Sequence, residues 1–245
     1  MSSPLDDKKN DLIASAGKSI LGVVPFAGPL LAEIVDHLVP DQRVDRLTAY
    51  VKELESRLSS AEETIVRASL NKPEGLALAE DGYIAASRAV TRDRASYIAS
   101  VVANGLSVEE MSESRQRYLL NLLSELNDEE VLWLRFFFNP VIDGDHEFRN
   151  KHEKIFEPAR AYIGAPESEI EKASIQESYK EHLERLGLVE SKIQFDRKTG
   201  VPEFDKFSGK PRTSYTDITH LGRMLLREIG MIEAEPANKQ NQVDE

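Results

Sequence analysis

The chain has 245 residues, 40% of them hydrophobic and 30% charged, with a formal net charge of −12 and no cysteine. That length and composition predict a folded protein with a real core, in one large domain or two smaller ones, and not a disordered chain. The missing cysteine excludes a disulfide scaffold, a thiolate zinc site and a cysteine nucleophile, and it fits a reducing, cytoplasmic setting. The acidic excess repels nucleic acid and anionic lipid on average. The opening MSSPLDDKKND has no basic stretch leading into an apolar core and a cleavage site, so no secretion signal is expected.

In chain order, the first predicted element is an apolar helical hairpin over 11–40. From Ser19 to Ala32 there are 14 uncharged residues, short of the roughly 20 that a spanning helix needs. Pro25, Gly28 and Pro29 break the run, which gives two short helices around a PFAGP corner. Ile20, Leu21, Val23, Val24, Phe26, Leu30, Leu31 and Ile34 carry its apolar side chains. They suit a core hairpin, or a segment that inserts into a membrane through residues 19–38, or a self-association surface.

A long helix is expected over 41–71. Val44, Leu47, Val51, Leu54, Leu58, Ala61, Ile65 and Ala68 alternate spacings of three and four, the seam of a bundle helix or coiled coil. Packing within the chain is the expectation, with self-association through 44–68 as the alternative. After Lys72-Pro73-Glu74-Gly75 a second helix is expected over 81–104, with Gly105 as its C-terminal cap. Ser107-Val108-Glu109-Glu110 has capping-box spacing and opens the next helix. Asn127-Asp128-Glu129-Glu130 repeats the logic for a helix ending at Phe138. Its Val131, Leu132, Trp133, Leu134, Phe136, Phe137 and Phe138 are apolar all round and predict the centre of the core, with Trp133 buried. A short helix from Glu153 to Tyr162 follows.

From Ser174 the pattern changes. Ser174-Ile-Gln-Glu177 has capping-box spacing, and Ile175, Tyr179, Leu183 and Leu186 form one stripe that ends at Leu186-Gly187-Leu188-Val189. Lys192 to Phe207 then alternates like a hairpin around Asp196-Arg197-Lys198-Thr199-Gly200. A second loop over 208–212 leads to a strand over Thr213–Ile218, and Thr219 caps a last helix, HLGRMLLREIG.

This order of helix, LxxLGLV, hairpin and ITxLGRxLL resembles bacterial winged-helix domains of the MarR kind, over roughly residues 107–232. The resemblance implies a recognition helix that runs into a β-hairpin wing, with a final helix behind it. The chain departs from that pattern in charge. Its would-be recognition helix offers Gln176, Glu177, Lys180, Glu181 and Glu184, a net negative set that opposes a phosphate backbone. The wing is richer in cations, with Lys192, Arg197, Lys198, Lys206, Lys210 and Arg212 against Asp196, Glu203 and Asp205. These six are the candidate contact residues for a partner or for phosphate, and nucleic-acid binding is expected to be weak at most.

No catalytic set emerges. Gly17-Lys18-Ser19 lacks the upstream glycine of a phosphate-binding loop, since Leu12 stands there. His146 and His152, near Asp143 and Asp145, are six apart and do not share a helix face as metal ligands. His37, His182 and His220 stand alone in helical sequence. Neither a metal site nor a cofactor is therefore expected.

The fold class expected is mainly α. A helical region over 1–106 precedes a winged-helix-like domain over 107–232 and an acidic tail over 233–245. The function expected is a non-catalytic regulatory or adaptor protein that meets an unknown protein partner through the winged-helix-like platform. The alternatives are a membrane-acting hairpin effector of the bacterial toxin or phage-defence type, and a DNA-binding regulator that touches phosphates through the wing.

Overall fold

The computed structural model describes residues 44–107, 113–140, 144–159, 162, 164–205, 209 and 211–233. The apolar hairpin expected over 11–40 and the tail after 233 lie outside them. The fold is mainly helical, with ten helices and one small antiparallel sheet among the described residues. No helix among these residues is long and apolar enough to cross a membrane. The chain divides into two compact units. One runs to Glu125 and includes Glu228–Gly230, and the other holds Leu126–Arg227 and the residues from Met231.

The first unit comprises α1 (Val44–Leu58), α2 (Glu63–Leu70), α3 (Pro73–Arg88), α4 (Arg92–Ser107) and α5 (Glu113–Glu125). The helix expected over 41–71 is thus two helices. Leu47, Val51, Leu54 and Leu58 are buried as the seam predicts. The run then stops because Ser59 and Ser60 turn their hydroxyls onto the Ser56 and Arg57 carbonyls, at 2.7 and 2.9 Å, a local bond that competes with further helix. The helix expected over 81–104 is also two. Its break is marked by Thr91, whose hydroxyl accepts from the Arg94 N–H at 3.1 Å and caps α4. Pro73 opens α3 at the one position where a missing N–H costs nothing.

Gly105 does not cap a helix. It lies inside α4, where a Cβ would come within 2.4 Å of Leu78 Cδ2 and 2.9 Å of the Gln116 side chain. Close helix approach, not chain reversal, is what calls for glycine there. α4 is the helix covered on every side, with Ile98, Ala99, Val101, Val102, Ala103 and Leu106 all buried. Its small residues let α1, α3 and α5 pack closely around it. α5 therefore belongs to this unit, although residue 107 was expected to open the second domain. A buried polar knot lies beside it: the Glu228 carboxylate accepts from Asn104 Nδ2 at 2.8 Å and from Gln116 Nε2 at 3.2 Å.

Two tyrosines give this unit a pH limit. Tyr50 and Tyr83 are buried, and neither hydroxyl has a hydrogen-bond partner. Burial pushes Tyr83 up to about 12, and it raises Tyr50 further, with the neighbouring Tyr83 charge adding to the effect. A raised folded-state value means stability that is complete below the ordinary tyrosine range and lost as pH rises through about 12. Alkaline titration should show these two phenols ionising together with the loss of helical circular dichroism. Full tyrosinate absorbance in a chain that keeps its helices would contradict this.

The second unit comprises α6 (Asp128–Phe138), α7 (His146–Lys151), α8 (Glu153–Phe156), α9 (Glu167–Arg185), β1 (Val189–Ile193), β2 (Thr213–Ile218) and α10 (His220–Glu228, whose last residue counts with the first unit). The capping box expected at Asn127 is present. Asn127 Oδ1 accepts from the Glu130 N–H and Glu130 Oε2 accepts from the Asn127 N–H, both at 2.8 Å. Burial on α6 follows a stripe of Glu130, Val131, Leu134 and Phe137. Trp133 and Phe136 are only half-buried, so α6 is an amphipathic wall and not the all-round core helix expected.

Its aromatic side instead meets α7 and α8. Trp133 lies edge-on to Phe156 with centroids 5.2 Å apart, and Phe148 contacts Phe156 at 5.5 Å. Arg149 covers the Phe136 ring at 4.7 Å, and Arg135 pairs with Asp145. The His152 ring lies tilted against Phe148, with centroids 5.0 Å apart. α8 ends at Phe156, well before Tyr162.

Candidate contact surface on the wing

α9 begins at Glu167, not at Ser174. The Ser174 hydroxyl bonds back to the Ile170 carbonyl at 2.8 Å, inside the helix. Leu183 is the fully buried residue of the expected stripe, and Ile175 is exposed. The polar face of α9 is largely engaged within the chain. Gln176 Nε2 donates to the carbonyls of Ile155 and Glu157, and its Oε1 accepts from the Ala159 N–H. The Tyr179 hydroxyl donates to Glu129 at 3.1 Å, and His182 Nδ1 lies 2.6 Å from Glu130 Oε1. Burial first, then the Glu129 carboxylate, raises the Tyr179 phenol above its ordinary value.

Gly187, at φ +70°, turns the chain out of α9 into β1. Leu188 then links three elements. Its side chain is buried, and its carbonyl accepts from the Thr219 N–H at 3.0 Å and shares the Thr219 hydroxyl, at 3.1 Å, with the nearer Gly187 carbonyl at 2.7 Å. Thr219 Oγ1 also accepts from the Gly222 N–H at 3.1 Å, which caps α10. A Cβ on Gly222 would meet the same Leu188 carbonyl at 2.2 Å. The LGLV and ITxLG segments are two halves of one joint.

β1 and β2 pair antiparallel from Val189–Ile218 to Ile193–Thr213. Beyond them the wing is not a simple hairpin. The Gln194 N–H donates to the Arg212 carbonyl at 2.7 Å, the Arg212 N–H to Glu203 at 2.8 Å, and the Glu203 N–H to Gln194 at 2.9 Å. These bonds close a ring from which two short arms diverge, held by the bridges Phe195–Pro202 and Phe204–Pro211. The cause lies in the sequence. Residues 195–203 read FDRKTGVPE and residues 204–212 read FDKFSGKPR, a tandem repeat of nine with Phe, Asp, Gly and Pro in the same places.

The described residues of the two copies share one turn. Gly200 and Gly209 have φ of +69° and +67°, and their N–H groups donate to Asp196 and Asp205 carbonyls at 2.8 and 2.9 Å. In the first arm Asp196 Oδ1 accepts from the Lys198 and Thr199 N–H groups. Those bonds hold its carboxyl below the usual carboxylate range.

The register puts Ile193, Phe195, Pro202, Phe204, Pro211 and Thr213 on one face, because bridge partners share a side and residues two apart alternate back to it. That face is open: Ile193 is 43%, Phe195 54% and Phe204 55% exposed. The opposite face carries Gln194, Glu203 and Arg212.

Of the six cations expected to make contacts, Lys192 pairs with Glu190, and Arg212 lies 4.0 Å from both Glu203 and Asp205. Arg197 and Lys198 are exposed at the tip of the first arm. Lys206 and Lys210 lie outside the described residues. The expectation named the cations but not the aromatic face beside them. The nine-residue repeat was the signal that could have found it, since it makes Phe195 and Phe204 equivalent.

Elsewhere, a pocket of about 360 Å³ in the first unit is lined by Ile98, Leu120 and Leu123 together with the polar Arg88, Arg94 and Asn121. Its Asp81 is paired with Arg117 at 2.7 Å. Among the described residues no cluster of His, Asp and Glu is placed to hold a metal ion. The chain matches no family model, and no curated protein or solved structure is detectably similar to it.

Proposed function

We propose that this chain is a non-catalytic regulatory or adaptor protein whose winged-helix-like second unit docks a protein partner through the wing. One observation carries the reading: the wing presents Ile193, Phe195 and Phe204 together on an open face, with no element of the second unit described as covering it. Large apolar side chains clustered in the open mark interaction surfaces more often than scattered ones do. The ring and the arm bonds keep the surface in shape before a partner arrives, which lowers the ordering cost of binding.

Readout of a DNA groove by α9 is disfavoured. Gln176 is held by three backbone groups, and Glu177, Glu181 and Glu184 leave the helix acidic.

Photo-crosslinking in cells tests the reading. A benzophenone amino acid at position 195 or 204 should capture one protein, which the same probe at Val90, exposed at 80% in the first unit, does not capture. Products identical at all three positions, or crosslinks to nucleic acid or lipid alone, would overturn it.

A further inference from the structure

The pocket of the first unit is built from one face of each of three helices. Ile84, Ala85 and Arg88 lie on α3, Arg94 and Ile98 on α4, and Leu120, Leu123 and Ser124 on α5. Their spacings of three and four keep side chains on one helix face. At about 360 Å³ the volume stands at the small end of the range for small-molecule sites, roughly 300–1,000 Å³. The room comes from short side chains, since Ala85 and Ala89 line it where longer residues of α3 would fill it.

Two kinds of surface meet there. Ala89, Ile98, Leu120 and Leu123 are at most 4% exposed and make an apolar wall. The polar side chains differ in what they already bind. The Asp81 carboxylate, the one acid of the lining, accepts from Arg117 Nε at 2.7 Å. The Ser124 hydroxyl donates to the Asn121 carbonyl at 2.7 Å. Arg88 is exposed in the last turn of α3 and forms no ion pair among the described residues. Arg94 is engaged elsewhere, but its Nη1 is buried and makes no hydrogen bond. What remains is a set of donors, two guanidiniums and the Asn121 amide, beside a carboxylate that already has its cation. A buried donor without an acceptor is unfavourable, and two guanidiniums in one pocket repel each other until an anion joins them.

The two surfaces together set the ligand. A carboxylate carries one charge on two oxygens, the match of a guanidinium fork, and the apolar wall calls for a short hydrocarbon body behind it. Phosphate fits less well, because it has no apolar part and its second charge would stand beside Asp81.

We infer that this pocket binds a small monocarboxylate with an apolar body of a few carbons. Arg88 and Arg94 hold the carboxylate, and the body lies against Ile98, Leu120 and Leu123. The pocket shares no residue with the wing, so this reading and the docking reading stand or fall separately.

Titration of the full chain with hexanoate, followed in amide nuclear magnetic resonance spectra, tests this. Hexanoate should shift the amides around Ala85, Arg88, Ala89 and Leu123 and saturate at about millimolar concentration. Hexanol, uncharged and of the same length, should bind at least about ten-fold more weakly, and inorganic phosphate should leave these amides in place. Arg88→Gln should weaken hexanoate roughly three- to ten-fold, as its guanidinium is exposed. Arg94→Gln should weaken it about ten-fold or more, as its Nη1 is buried. Ala85→Leu fills the space with a strong helix former and should abolish binding, while an unchanged melting temperature and unshifted amides elsewhere establish that the variant is folded.

Hexanol bound as tightly as hexanoate would overturn the proposal, as would phosphate bound more tightly than either. Hexanoate binding that survives Ala85→Leu would also overturn it, and so would the absence of any shift at these amides at about ten times the expected concentration.

Discussion

Leu188→Ala is expected to destabilise the second unit by about 3–5 kcal/mol, the upper part of the range for a buried leucine. The side chain is fully buried, at 0% exposure. The cost of such a cavity depends on how far its walls can move in, and here they are pinned. The Leu188 carbonyl accepts from the Thr219 N–H and packs on Gly222, the Thr219 hydroxyl is shared between the Gly187 and Leu188 carbonyls, and the Leu188 N–H bonds to the Leu183 carbonyl at 3.0 Å. The end of α9, the start of β1 and the first turn of α10 therefore cannot collapse independently. Thermal melts of the variant should fall by about 4–8 °C for each kcal/mol lost in a domain of this size. A fall equivalent to less than about 1 kcal/mol would mean that the joint is softer than its bonds imply.

The second large effect is expected at Glu130. Both of its carboxylate oxygens are in use although the residue is 4% exposed: one caps α6 through the Asn127 N–H, and the other meets His182 Nδ1. Glu130→Ala removes a cap contact of about 1 kcal/mol. It also strands a half-buried imidazole nitrogen and a backbone N–H, at about 1–3 kcal/mol. A total of about 2–4 kcal/mol follows. Glu130→Gln keeps the size and a carbonyl acceptor that completes a capping box, so it should recover at least half of the loss. Equal melts for the Ala and Gln variants would show that neither volume nor a neutral acceptor is what Glu130 supplies, and would leave its carboxylate charge as the contribution.

What could be read from the sequence divides along a physical line. Signals in which a side chain acts on its own neighbours were legible. The Asn127–Glu130 box, the Leu47–Leu58 seam, the Leu186-Gly187 turn into a strand and the strand over Thr213–Ile218 all stand in the structure. Signals that depend on distant partners were not. Ser174 has the spacing of a cap, but nothing local tells that its hydroxyl serves an internal helical carbonyl. Gly105 and Gly222 look like helix punctuation, yet what fixes them is a neighbour across the fold, Leu78 for one and Leu188 for the other. Gln176 reads as a free polar contact, and three backbone groups of the segment over 155–159 occupy it. The cations of the wing were legible as charge. Their aromatic companions were hidden because a phenylalanine in an alternating strand reads as core.

The ring at Gln194, Glu203 and Arg212 also bears on how this wing arose and how it can change. If residues 204–212 were removed, Thr213 would take the place of Phe204, and the Glu203–Gln194 pairing would continue without a slip into Thr213–Ile193. Removing residues 195–203 leaves an equally continuous ladder, because Gln194 already pairs with Arg212 and Phe204 with Pro211. Either copy is therefore a whole module from the standpoint of strand register, since its loss leaves the remaining pairs unslipped. The wing is a growth point, at which the chain can lengthen or shorten by complete arms while the joint at Leu188 and the helices behind it keep their places. Kindred chains would then differ first in their number of arms, and so in how many contacts they offer.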